Sequence, residues 1–202
     1  MERLKLIKPT EEYEQQAYEY IQEFIDNNSK IHGTGGLDKY IGCYVEWLNK
    51  LEVCRNIKQS ERLLLTNEMV PAETFMLIRE NDNKLIGMID IRLCLNKYLL
   101  NYGGHIGYSI RPTERRKGYN TYQLYLALKF CKEIGLDKVL ITCNKKNLAS
   151  VKSIQKYEGI LENEVYDEDD NKIVQRYWID VNNRIKTRKI LKFRFISLFI
   201  RI

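Results

Sequence analysis

The chain is poor in the residues that build special-purpose scaffolds. Only 11 Gly and 3 Pro occur in 202 residues, too few for a collagenous or low-complexity chain. Its five cysteines, Cys43, Cys54, Cys94, Cys131 and Cys143, are odd in number and form no C-x-x-C pair. Neither a disulfide framework nor a zinc site fits them, and buried small hydrophobes in a reducing compartment are expected instead. Two histidines, His32 and His105, are too few for a His-rich metal centre, and no metal is expected. No run of 18 apolar residues exists to span a membrane. The start MERLKLIKPTEE lacks the apolar core of a secretory signal. The expectation is a cytoplasmic domain, long enough to bury roughly 70% of its unfolded surface.

Charge is present but unevenly spread. The net charge is +6, yet residues 184–202 hold seven basic residues and no acid, leaving 26 basic against 27 acidic residues in the rest. A nucleic-acid reader carries its positive charge on the folded surface that grips phosphates, so no nucleic acid is expected. The terminal stretch RIKTRKILKFRFISLFIRI mixes cations with Ile, Leu and Phe. That pattern suits a packed appendage, a swapped strand or a peripheral segment at a membrane surface. Residues 1–182 are read as one domain and 183–202 as a basic, apolar extension.

Periodicity organises the domain. RLKLIK alternates like a first strand. Helical spacing runs from Pro9 to about Asn28 and again from Leu37 to Ile57, where Ile41, Val45, Leu48 and Leu51 share a face. The break NSKIHGTGG is a loop, and 58–72 a long connection. Thr74–Glu80 and KLIGMIDIRLCL form a hairpin around Asn81–Lys84. Gly103–Pro112 is a fourth strand, Tyr119–Ile134 a helix closed by Gly135, Lys138–Asn144 a strand and NLASVKSIQKY a short helix capped by Asn147. ILENEVYD and NKIVQRYWIDV close the domain as a hairpin.

The most informative stretch runs from Ser109 through Ile110, Arg111, Arg115, Arg116, Lys117, Gly118, Tyr119 and Asn120 to Thr121. A strand ends, a basic turn follows and a helix begins at once. Such a helix start offers free N–H groups and the positive end of the macrodipole to a pyrophosphate. Gly118 lets the backbone approach closely. The spacing is neither G-x-x-x-x-G-K-[ST] nor G-x-G-x-x-G, which excludes those nucleotide-binding loops.

On these residues the chain resembles the GNAT N-acetyltransferases over about residues 1–182, and most closely a bacterial subgroup of small acetyltransferases. The signature [QR]-x-x-G-x-[GA] is met by Arg115 and Gly118 but ends in Asn120. The segment opening Asn147-Leu148-Ala149-Ser150 and the closing hairpin Glu164–Asp180 are similar to later family segments. The resemblance implies a mixed, mostly antiparallel α/β sheet with a V-shaped split between two central parallel strands, flanked by helices. It implies that acetyl-CoA binds in the split: pantetheine beside 104–111, pyrophosphate on the N–H groups of 116–121, with Asn147 and Ser150 nearby. It also implies a homodimer or a monomer, with no residue pattern to decide.

For the chemistry, the resemblance gives Ile110 N–H as an oxyanion donor. The thiolate acid of many relatives, a helical tyrosine, is replaced by Ile154, and Tyr157 three residues on either substitutes for it or simply packs. His105, on its ordinary pKa and its place at the start of the strand, is either the candidate base or a half-buried histidine making a structural hydrogen bond. Asp90 and Arg92 share a parity and either orient an amine or face outward. Tyr40, Tyr44 and Trp47 either pack on the sheet or wall an acceptor pocket, and the Gly33–Gly36 loop is poised to close over substrate. Glu158 stands where the subgroup has Gly. The reading is acetyl transfer to the primary amine of a small molecule. Its rivals are an acyl-CoA sensor without turnover and an adaptor acting through the tail.

Overall fold

Two adjacent stretches, AETFMLIR and KLIGMIDIR, are apolar on both alternating faces, as strands covered on both sides must be. They form β2 (Ala72–Arg79) and β3 (Lys84–Arg92). The computed structural model describes residues 2–56 and 70–182. β1 (Leu4–Ile7), β2, β3 and β4 (Ile106–Ile110) make one antiparallel sheet in that order; β5 (Lys138–Asn144), β7 (Lys172–Asp180) and β6 (Ile160–Asp167) make a second. Between β4 and β5 runs α3 (Tyr119–Glu133), the helical crossover that parallel neighbours require. The class is therefore mixed α/β, mostly antiparallel, with the split between β4 and β5.

Strand parity sorts the core into two layers. Phe75, Leu77, Ile86, Ile89 and Ile91 face α3 and α4 (Leu148–Gln155). Met76, Ile78, Leu85 and Met88 face α1 (Glu14–Asp26) and α2 (Tyr44–Arg55). α3 ends in a left-handed Gly135, with Leu136 N–H on Cys131 O and Gly135 N–H on Lys132 O, the double bond that satisfies a helix's last carbonyls. Asn147 caps α4, its Oδ1 accepting from Ser150 N–H at 3.1 Å.

The second helix corrects the sequence reading. It begins at Tyr44, because Gly42 adopts φ +81° and breaks the run that starts at Leu37. Ile41 and Val45 are exposed; the buried face is Tyr44, Trp47, Leu51 and Cys54. Tyr44 and Trp47 are core residues rather than pocket walls. Trp47, fully buried, donates to Thr34 O at 3.1 Å, so Trp47→Ala would cost about 3–5 kcal/mol. Residues 93–105 also differ: β3 stops at Arg92, and a π-helical turn over Leu99–Gly103 intervenes before β4. Most of the expected 58–72 connection and the terminal extension lie outside the described residues. Among the described residues no helix is long and apolar enough to cross a membrane.

Candidate active site

β4 organises the site through its two alternations. Arg92 N–H donates to His105 O (2.8 Å) and Arg111 N–H to Ile86 O (2.9 Å). In an antiparallel ladder every second residue bonds the partner, so Gly107, Ser109 and Arg111 spend their main-chain groups on β3. Ile106, Tyr108 and Ile110 turn theirs to the opposite edge, at the split. Ile110 O accepts Arg115 Nε at 3.1 Å. Ile110 N–H, the donor implied for an oxyanion, is on the split edge.

Side-chain parity divides the candidate residues of the turn. Ser109 bonds His32 O and Tyr20 OH, and Arg111 lies 5.6 Å over the Tyr20 ring while pairing with Glu23 (3.4 Å). Both face α1, away from the split. Arg115 stacks on Phe24 and reaches Ser29 (2.8 Å), and the Tyr119 hydroxyl is buried against Glu2 and Arg79. Lys117, with Lys84 and Arg79, pairs with the buried Glu114. Burial opposes ionisation of Glu114, but these hydrogen bonds outweigh it and hold the carboxyl at about 2. What remains at the helix start is Arg116, exposed and in no ion pair with a described residue, then Gly118 (φ +92°), Asn120 and Thr121. The helix's first main-chain bond is Tyr122 N–H to Gly118 O at 3.3 Å; the first-turn N–H groups before it are those every helix leaves unsatisfied.

A polar cluster ties this helix start to α4. Asn120 Nδ2 donates to Ser153 Oγ (2.9 Å), and Tyr108 OH lies 2.6 Å from Ser150 Oγ. Burial pushes the Tyr108 hydroxyl up to about 12. The Asn120 amide thus turns toward α4, which accommodates a side chain where the signature has Gly or Ala. Ile154 is fully buried, and Tyr157 OH donates to Thr121 O at 2.6 Å, its pKa raised by burial. That hydroxyl clamps α4 to α3. Glu158 takes φ +59°, so the usual glycine there answers a backbone need after α4.

His105 joins the two sheets. Its N–H donates to Leu140 O at 2.7 Å, and its Nδ1 accepts Leu140 N–H at 2.9 Å. Burial and the nearby Arg92 lower its pKa to about 4. With Nδ1 engaged, the neutral ring carries its proton on Nε2, and neither nitrogen is positioned to take another.

On the α1–α2 face lies a cleft of about 450 Å³. Thr74, Asp90 and Arg92 form part of its lining: Thr74 Oγ1 donates to Asp90 Oδ1 (2.8 Å) and Arg92 Nε lies 2.7 Å from Asp90 Oδ2. Asp90 is buried and Arg92 half-buried. Lys50, Leu51 and Cys54 of α2 complete one wall. The Gly33–Gly36 loop forms another, pressed so closely on β4 that a Cβ at Gly33 would stand 2.6 Å from Tyr108 Cα. His32 also lines the cleft; partial burial and Lys172, Lys30 and Arg92 hold its pKa below the ordinary value. Sequence reasoning missed Thr74, although a lone hydroxyl amid the apolar β2 was a signal.

A family model described as "Acetyltransferase (GNAT) domain" matches residues 37–158, more than half of the chain. The chain belongs to the GNAT acetyltransferase family. As a GNAT protein it is an acetyl-CoA-dependent acyltransferase. Solved structures agree in fold: a ribosomal-protein-S5-alanine acetyltransferase from Vibrio fischeri is 14% identical, covers 91% of this chain and 96% of its own, and has a TM-score of 0.66. The microcin C7 self-immunity acetyltransferase MccE, solved with acetyl-CoA and AMP, is 16% identical over 88% of this chain and 92% of its own, TM-score 0.64. A chimera of the Vibrio cholerae spermidine N-acetyltransferase SpeG is 15% identical over 89% of this chain and 96% of its own, TM-score 0.57. No curated protein matches this GNAT chain in sequence.

Proposed function

We propose that this GNAT protein acetylates the primary amine of a small molecule held in the Thr74–Asp90–Arg92 cleft. The carrying observation is that cleft: its volume of about 450 Å³ falls in the range of small-ligand pockets, and it adjoins the strand whose other edge bears Ile110 N–H. The α3 start fits a pyrophosphate, with Gly118 allowing close approach and Arg116 uncommitted. Bound there, acetyl-CoA supplies an activated thioester carbonyl.

The chain's residues then divide the work. Ile110 N–H stabilises negative charge at the carbonyl oxygen. Asp90, fixed by Thr74 and Arg92, accepts an amine N–H and orients the nucleophile. His32, neutral near pH 7 because its pKa is lowered, takes the proton at an imidazole nitrogen. Tyr108 and Ser150 keep the split edge ordered. The acceptor test is free-thiol release from acetyl-CoA with a panel of small primary amines and, separately, short peptides with free N-termini. Stimulation by a small amine, lost in Asp90→Asn, is expected. Stimulation by peptides alone would overturn the small-molecule reading.

A further inference from the structure

β6 is an edge strand with an unusual surface. It pairs only with β7, and of its eight residues Asp167 alone is buried. Ile160 is 73% exposed and Tyr166 56% exposed, and Leu161 and the β7 residue Ile173 add to the apolar surface. Natural edges are blunted by cations, proline, bulges or a covering segment; this one has an irregularity between Leu161 and Asn163 but neither cation nor proline along β6. Residues 158–170 hold seven acids and no base. Four of them pair locally: Glu162 with Arg176, Glu164 with Lys145, and Asp167 and Asp170 with Lys172. Glu168 and Asp169 pair with no described cation. The edge is thus acidic and apolar at once.

The chain holds the complement. Residues 184–202 have seven bases, no acid and ten Ile, Leu or Phe residues. The attachment point is favourable too. β7 ends at Asp180, and Trp178 is in register with Ile160, the first residue of β6. The last described residues, Val181 and Asn182, bond Asp137 just before β5, so the terminal segment starts across β7 from the β6 edge, at the end where Ile160 begins that strand. An eight-residue strand is roughly 27 Å long, whereas nineteen residues reach up to ~65 Å. A short tether makes the encounter intramolecular, at an effective concentration of order millimolar.

We infer that residues 184–202 dock along β6 and its hairpin turn, covering the acidic, apolar edge in the same molecule. Apolar burial supplies the driving force and charge sets the partner, since exposed ion pairs alone contribute little.

Hydrogen exchange on the full-length protein tests this, comparing wild type with Lys192→Glu/Arg194→Glu, with Glu168→Lys/Asp169→Lys, and with all four changes together. In wild type the β6 amides should exchange on the order of tenfold more slowly than in either charge-reversed double variant. The protection should be independent of protein concentration and return in the four-fold variant, where the charges are swapped. Equal exchange in all four proteins would overturn the inference. So would protection that grows with concentration, the mark of a second copy on the edge. Unprotected β6 amides in a protein whose tail binds phosphatidylserine vesicles would overturn it as well, assigning the tail to membranes.

Discussion

His105 and Leu140 exchange two hydrogen bonds across the mouth of the split, N–H to O at 2.7 Å and N–H to Nδ1 at 2.9 Å. A side chain here replaces the next rung of a ladder: beyond this point β4 and β5 share no pairing, and the gap between the sheets opens. Histidine at this position holds the fold at the place where the fold must divide.

That role has a pH signature. The folded pKa of about 4 lies below the ordinary value of about 6.5, so the unfolded chain binds more protons between those values. Stability from this residue is complete above about pH 6.5 and falls as pH drops through 4, by up to about 3 kcal/mol. Denaturant titrations at pH 7 and pH 5 should show about 2 kcal/mol of this loss for wild type and a smaller one for His105→Asn. His105→Asn keeps an acceptor for Leu140 and should retain turnover within about threefold, whereas His105→Leu, leaving Leu140 N–H unpaired, should lose about 1–3 kcal/mol of stability.

The loop over the proposed acceptor cleft depends on Gly33. Its φ of +72° and its contact with Gly107 and Tyr108 leave no room for a methyl group. Gly33→Ala should raise the acceptor KM at least several-fold while acetyl-CoA affinity, measured by calorimetry, changes little. Gly42→Ala is the control: φ is +81° but nothing lies within 4 Å, so it should cost only the left-handed strain of about 1–2 kcal/mol.

The basic turn separates into one uncommitted charge, Arg116, and several structural ones. Arg116→Ala should weaken acetyl-CoA binding several-fold at low salt, with the difference shrinking as ionic strength rises. Lys117→Ala should affect binding less, because its ammonium is 2.7 Å from Glu114. Instead it should destabilise the protein by leaving that buried carboxylate with fewer partners.

Asn120 gives a third contrast. Its amide turns to Ser153 on α4, so Asn120→Ala should leave acetyl-CoA affinity within about threefold and lower Tm by loosening the α3–α4 contact, a loss of about 1 kcal/mol. A marked gain in affinity would contradict this and mark Asn120 as an obstacle to the pyrophosphate.

Much of this was legible in the sequence, for reasons tied to particular residues. β2, β3 and β5 announce themselves as short apolar runs, and Gly135 and Asn147 mark helix ends by local chemistry that needs no tertiary partner. The turn ending in Gly118 was readable because a strand, a left-handed glycine and a helix must follow one another there. Ser109 and Arg111 were read with that turn as one block, yet strand parity sends them to the α1 face; the alternation of Ile106, Tyr108 and Ile110 held that information. The α2 start was misread because Ile41 and Val45 mimic helical spacing, while the side chains that pack are the aromatic Tyr44 and Trp47. The splice at Leu140 and the seat of Gly33 on β4 join residues 35 and 74 positions apart, and no local pattern encodes such contacts.

The proposed chemistry rests on acetyl-CoA binding at the open edge of β4 and the start of α3. Its most direct test is calorimetric titration of acetyl-CoA into wild type and Gly118→Val, with Tm recorded for both. Micromolar binding to wild type and at least a tenfold loss in Gly118→Val are expected, since a β-branched residue cannot hold φ +92° without distorting the turn. Absent binding to wild type, or equal binding to a folded Gly118→Val, would contradict it.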